Sequence, residues 1–207
     1  QNVTVTVADG RFWYSLGNGL GNGLDNNWYL DGNNASVVSS DGNKTTVQMG
    51  SGYRGDLWLA RSGKGKIVNV TPADYRYFAI KVGFKSQLVP GKNKPNGCIK
   101  LEIFDDGIKK IGPEYFGTGG DANNRYEILG ASEISTTEPN VLYYDLQSKY
   151  KTVTPTDWNQ VFDLVQCKFV IADFPETAQT YDLYWIRSFK SIEELQAFVD
   201  SENNTNE

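Results

Sequence analysis

The chain contains no histidine among its 207 residues. That removes Ser/His/Asp and Cys/His nucleophile systems from it, and with them the commonest imidazole metal ligand. Cys98 and Cys167 are the only cysteines, too few for a Cys₄ zinc site. Both fall in strand-like runs, Cys98-Ile99-Lys100-Leu101 and Gln166-Cys167-Lys168-Phe169, and read as two buried thiols or as one disulfide. Carboxylates are what is left for catalysis. Cleaving a glycosidic bond with them takes two, one on each side of the bond. The densest local cluster is Glu102-Ile103-Phe104-Asp105-Asp106. On a strand, Glu102 and Asp105 point to opposite faces and cannot share a substrate, and Asp106-Gly107 reads as a turn. An enzyme would need a pair drawn from separate loops, such as Glu114 with Asp121. The Glu-x-Asp-x-x-Glu pattern of one large sandwich glycosidase family is absent. Asp25, Asp31 and Asp182 could offer oxygens to a structural Ca²⁺, yet they follow no spaced ligand motif. The expectation is therefore no catalysis and no cofactor.

Aromatic side chains beside amides carry a different chemistry. A sugar ring presents an apolar C–H face that stacks on a flat ring, while Asn, Asp, Gln and Arg at the rim bind its hydroxyls. Trp28 closes a Gly/Asn-rich loop and stands next to Asn26 and Asn27. Tyr53 and Arg54 lie in Gly50-Ser51-Gly52-Tyr53-Arg54-Gly55. Trp158 follows Pro155-Thr156-Asp157. These six residues (Trp28, Tyr53, Arg54, Asn26, Asn27 and Trp158) are the expected ligand-binding set, with Trp28 and Tyr53 as stacking platforms on one surface shared by the loops 16–28 and 50–58. Trp58 and Trp185 fall inside strands and read as core. Tyr115 and Phe116 sit in a second Gly-rich loop. Gly119-Gly120-Asp121 is not a phosphate loop, since no Gly-Lys-Ser/Thr follows it.

The elements that must position these loops are strands. The composition, with 21 Gly, 12 Tyr, 10 Phe and 5 Trp, suits many short strands joined by tight turns. Period-two or apolar runs occur at 3–7, 11–14, 28–30, 56–61, 67–70, 75–84, 99–104, 108–111, 125–130, 140–146, 161–172 and 181–189. The runs 35–39 and 44–49 form a hairpin around Asp41-Gly42. The spacing leaves no room for crossover helices. One helix is expected at 191–199, with Ser191 as N-cap and Glu194 at N3 forming a capping box. Its apolar residues Ile192, Leu195 and Val199 would lie on the sheet. Together these predict an all-β, two-sheet antiparallel β-sandwich of jelly-roll type with a short C-terminal helix, a single domain over 1–200, and a disordered tail at 201–207.

Charge and hydropathy bound the partners. Against 25 Asp+Glu there are 20 Lys+Arg, a net charge of -5, which disfavours nucleic acid and anionic membrane surfaces. No apolar run approaches the ~20 residues that span a bilayer. Gln1 opens the chain with neither a basic n-region nor an apolar h-region, as expected after removal of a signal peptide or excision of a domain.

The run Tyr181-Asp182-Leu183-Tyr184-Trp185-Ile186-Arg187-Ser188-Phe189-Lys190-Ser191-Ile192-Glu193-Glu194 resembles the closing strand and short helix of β-sandwich domains from Bacteroidetes glycan-utilisation loci. The segment 75–84 resembles the strand that crosses the middle of carbohydrate-binding-module jelly rolls. The resemblance implies a non-catalytic domain that binds polysaccharide or oligosaccharide. It implies an exported protein, extracellular or held at the cell surface as an outer-membrane lipoprotein beside other glycan-uptake proteins. An interaction or spacer domain of a larger surface protein is the alternative it leaves, and a glycoside hydrolase or lyase is a more distant one. Many such modules carry an Asp pair in the closing strand. Trp185-Ile186-Arg187 stands there in this chain, a departure from the residues that would hold calcium in those modules.

Overall fold

The computed structural model describes residues 11, 13–20, 28–31, 35–49, 55–61, 64–65, 68–70, 74–85, 98–105, 109–110, 126–145, 162–172 and 179–205. Among these the strands are β1 (Trp13–Ser15), β2 (Tyr29–Asp31), β3 (Ser36–Ser40), β4 (Thr45–Met49), β5 (Gly55–Arg61), β6 (Lys64–Gly65) and β7 (Val68–Val70). They continue with β8 (Tyr77–Phe84), β9 (Cys98–Asp105), β10 (Lys109–Lys110), β11 (Glu127–Ile128), β12 (Asn140–Asp145), β13 (Phe162–Ala172) and β14 (Gln179–Phe189). The helix α1 (Ile192–Asn204) follows. The expected strands that fall on described residues are all present, and the run 3–7 lies outside them.

The strands form two antiparallel sheets of one design. Each is built on an 11-residue strand whose one edge is taken by a long strand and whose other edge is shared by two strands end to end. In the first sheet β14 pairs with β8 along one edge. Its other edge carries β4 opposite 179–183 and β1 opposite 185–187. In the second sheet β13 pairs with β9 on one side, and with β5 and β7 on the other. The architecture is an all-β sandwich closed by one C-terminal helix.

Alternation explains the layers. On β8, Phe78, Ile80, Val82 and Phe84 point inward, joined by Leu142 and Tyr144 of β12 and by Tyr181, Leu183 and Ile186 of β14. Leu30 of β2, a strand of the second sheet, packs into this same core beside Leu16 and Trp28. The opposite face of the first sheet carries Ala79, Val141, Trp185 and Phe189, and Leu195 of α1 covers them. Strict alternation would send Trp185 inward with Tyr181 and Leu183. A β-bulge between Leu183 and Trp185 prevents it. The extra residue puts Tyr184 and Trp185 on the outer face together and returns Ile186 to the core.

Two expectations change here, and two open readings close. Trp28 is fully buried, 0% exposed, in the inner core and edge-on to Tyr14 with ring centroids 6.0 Å apart, so it is not a stacking platform. A large ring at the seam of the two sheets is worth more dehydrated than exposed. Cys98 stands opposite Ala172 and Cys167 opposite Ile103, five rungs apart on the same ladder. That is about 17 Å at the ordinary rise per residue, well beyond the reach of a disulfide. The helix runs on to Asn204 where a disordered tail was expected from 201, because Glu202 is tied to the sheet. Its carboxylate accepts from Trp185 Nε1 at 3.0 Å and from Lys81 Nζ at 3.1 Å. The other open reading is at Asp182, one of the carboxylates available to a structural cation. Its Oδ2 accepts from Lys44 Nζ and Lys85 Nζ, each at 2.8 Å, and its Oδ1 from Thr46 Oγ1 at 2.7 Å. Two ammonium groups occupy the oxygen a cation would take.

Candidate functional site

The helix α1 starts where the sequence sets it. Ser191 caps it, its Oγ accepting from Glu194 N at 3.1 Å. The Glu194 carboxylate reaches back one residue further than a capping box requires, to the N–H of Lys190 at 2.7 Å. Leu195 is fully buried, and Phe198 and Val199 pack beside it on the outer cluster. With Glu202 anchored one turn later, the face 195–198–199–202 rests on the sheet. The adjoining face, Gln196, Val199, Asp200 and Asn203, overhangs it and forms one wall of a cleft of about 670 Å³.

The floor is the outer face of three neighbouring strands: Lys81 of β8, Val141 of β12 and Tyr184 of β14. The opposite wall is the segment 128–131 and the turn 135–140. Buried Asn140 builds that turn. Its Nδ2 donates to Ser135 O at 2.9 Å, and its Oδ1 accepts from Ser135 N at 2.8 Å. Ser135 Oγ then accepts from Glu138 N at 3.0 Å. The end of the cleft is closed by Asn43, on the β3–β4 hairpin tip. Gly17 holds this tip in place. Its carbonyl accepts from Gly42 N at 3.0 Å, and a Cβ at Gly17 would lie 2.3 Å from Gly42 O. The start of the Gly-rich loop 16–28 is thus a close backbone contact.

Tyr184 is the chemical centre of the floor. Regular alternation with inward Tyr181 and Leu183 turns it outward, it is half-buried, and Lys81 Nζ lies 5.4 Å from its ring centroid. Burial, foremost, raises its phenol above the ordinary value, so the hydroxyl stays protonated. That hydroxyl makes no hydrogen bond among the described residues, nor do the side-chain amides of Asn43 and Asn203. The cleft therefore offers one amphipathic ring and several neutral donor–acceptor groups that the fold does not use. Its volume lies in the range of small-ligand sites. No group of histidine, cysteine and carboxylate side chains among the described residues could hold a metal ion.

Of the residues singled out from sequence, Trp28 is in the core. Asn26, Asn27, Tyr53, Arg54 and Trp158 lie outside the described residues, as do Asp25, Glu114, Tyr115, Phe116 and Asp121. Trp185 is in the outer core beneath α1, as expected. Trp13, at 39% the most exposed described tryptophan, is packed on by the guanidinium groups of Arg11 at 3.8 Å and Arg187 at 4.4 Å. Sequence reasoning missed Tyr184 because it sits inside a strand. The signal was its phase: inward positions 181 and 183 are odd, which puts 184 on the opposite face. Inward position 186 is even, and that reversal marks the bulge that adds Trp185 to the same face.

The fold and this cleft define an all-β sandwich with a helix-walled polar groove on one outer face. The chain belongs to the family described as "Domain of unknown function (DUF4979)", whose model matches residues 19–195. Among solved structures it is similar to a low-affinity xylan-binding module, CBM86, from the xylanolytic gut symbiont Roseburia intestinalis. The identity is 11%, over 81% of this chain and 92% of that one, with a TM-score of 0.38. No curated protein matches the chain. Among the described residues, no helix is long and apolar enough to cross a membrane.

Proposed function

We propose that this chain is a non-catalytic glycan-binding domain that takes a saccharide in the cleft between α1 and the outer face of the first sheet. The observation that carries the reading is Tyr184: a half-buried ring whose hydroxyl, like the side-chain amides of Asn43 and Asn203 in the same cleft of about 670 Å³, makes no hydrogen bond among the described residues. A ring stacks on the apolar face of a sugar, and amides can donate and accept at its hydroxyls. Tyr53, Arg54, Asn26, Asn27 and Trp158 are proposed as further contacts on loops of the same chemistry, within an exported or cell-surface protein.

The test is a glycan array on the purified domain, followed by calorimetry with the best binder. Replacing a central aromatic contact costs roughly 1–3 kcal/mol, so Tyr184→Ala should weaken binding about 5- to 100-fold. Tyr53→Ala serves as the companion. If Tyr53→Ala abolishes binding and Tyr184→Ala leaves it intact, the ligand sits on the 50–58 loop and not in this cleft.

A further inference from the structure

We infer that the cleft selects uncharged saccharides and excludes glycans bearing uronic acids. The inference rests on the glycan-binding reading above and concerns the charge of the ligand that the same cleft accepts.

The argument is electrostatic. Lys81 is the one basic side chain among the described residues that line the cleft. A uronate would need it. Its ammonium is already committed: it lies 3.1 Å from Glu202 Oε2 and is only 17% exposed. Glu202 is itself fixed by Trp185 Nε1, which donates to its two oxygens at 3.0 and 3.2 Å, so it cannot swing away to release the lysine. The remaining charges on the walls are negative. Glu138 stands on the 135–140 turn, and its carboxylate has no partner among the described residues. Asp200 stands on α1 and accepts from Gln196 Nε2 at 2.8 Å. Lys44 and Lys85 do not line the cleft; they lie within electrostatic reach of Tyr184, but both are held on Asp182 at 2.8 Å, and Asp41 acts on the ring from the same side, so the two cations are matched by two carboxylates. An incoming carboxylate thus meets one neutralised cation and two carboxylate walls. It loses its water without gaining a counter-charge. A neutral pyranose meets the ring of Tyr184 and amides that serve its hydroxyls without that cost. Like-charge placement is a known route to rejecting the wrong partner.

Glu202 is thereby a specificity-determining residue that acts through Lys81. Glu202→Gln keeps an oxygen for Trp185 Nε1 and removes the charge that neutralises the lysine. The second variant, Glu138→Gln with Asp200→Asn, changes only exposed side chains and does not depend on the helix anchor. The probes are a neutral β-linked oligosaccharide series (xylo-, cello- and manno-oligosaccharides) and an oligogalacturonate of matched length, measured by calorimetry at low salt. In the native chain the best neutral probe should bind at least tenfold more tightly than the uronate. Each variant should narrow that ratio several-fold, and 0.5 M NaCl should narrow it in the native chain. Equal or tighter binding of the uronate by the native chain overturns the charge selection while leaving glycan binding in place. So does an unchanged ratio in both variants, each shown folded by circular dichroism. Binding of neither probe class, nor of any glycan on the array, overturns the glycan reading and the selection with it.

Discussion

Asp182 shows how single residues are settled by neighbours distant in sequence. It sits on the outer face at only 2% exposure, against the backbone of Gly83, where a Cβ would come within 3.2 Å of its own Cβ. Burial works to raise its carboxyl. The hydrogen bonds from Lys44, Lys85 and Thr46 overcome that and bring it down to about 2. A carboxyl lowered in the folded state contributes stability that is present above its unfolded value, 3.8, and is lost as pH falls toward 2. The size is on the order of 2 kcal/mol. Asp182→Asn should therefore destabilise the protein at pH 7 by about that amount and by much less near pH 2, as read from urea unfolding at both values. An equal deficit at both pH values would mean that the lysines contribute nothing through charge. Trp28 teaches the same lesson from the other side. Its polar sequence neighbours suggested a surface ring, but its spatial neighbours are Leu16, Tyr14 and the inner strands. A residue entering a three-residue strand can belong to the core of the sandwich while the loop before it is polar.

At the scale of elements, α1 is held at two points, the Ser191 cap and the Glu202 anchor. Removing the anchor leaves Trp185 Nε1, in a side chain only 3% exposed, without its acceptor. An orphaned buried donor costs roughly 1–3 kcal/mol. Glu202→Ala should lower the melting temperature by several degrees, whereas Glu202→Gln, which keeps an acceptor for Trp185 Nε1, should avoid most of that loss. Equal melting of the alanine variant and the native chain would show that the helix end contributes nothing. The first anchor was legible in the sequence, because a capping box is local: Ser191 and Glu194 lie three residues apart. The second was not, since Glu202 finds Trp185 and Lys81 across 17 and 121 residues. The strands divide in the same way. Alternation placed β8, β12 and the β3–β4 hairpin, because each carries its period and its turn within itself. The bulge in β14 that sets Trp185 beside Tyr184 on the outer face is a relation between strands, and only the change of phase around these two residues hinted at it. The candidate site was less legible than the fold for this reason. Its ring, its amides and its turn-builder Asn140 come from four segments that only the folded topology brings together.

For the whole molecule, β14 joins what could otherwise be separate parts. One face gives Tyr181, Leu183 and Ile186 to the inner core, and the other gives Trp185 and Phe189 to the cluster under α1. Its edges bind β8 on one side and β4 and β1 on the other. The inner core also takes in Leu30 from β2, so the second sheet shares it. Neither core can be dissolved without removing a strand from the other. Unfolding should accordingly be a single transition. The aromatic rings report tertiary packing in both cores: Trp185 lies 5.5 Å from Phe198 of α1, and Phe84 lies 5.5 Å from Tyr181. Near-ultraviolet circular dichroism follows those rings and far-ultraviolet circular dichroism follows the sheets. The two melting curves should superimpose, with the same midpoint within about 1–2 °C, since a decoupled core destabilised by only 1 kcal/mol would melt several degrees earlier in a domain of this size. Loss of the near-ultraviolet signal well before the far-ultraviolet signal would show that the helix and its cleft come away from an intact sandwich, and the cleft would then be a separable attachment.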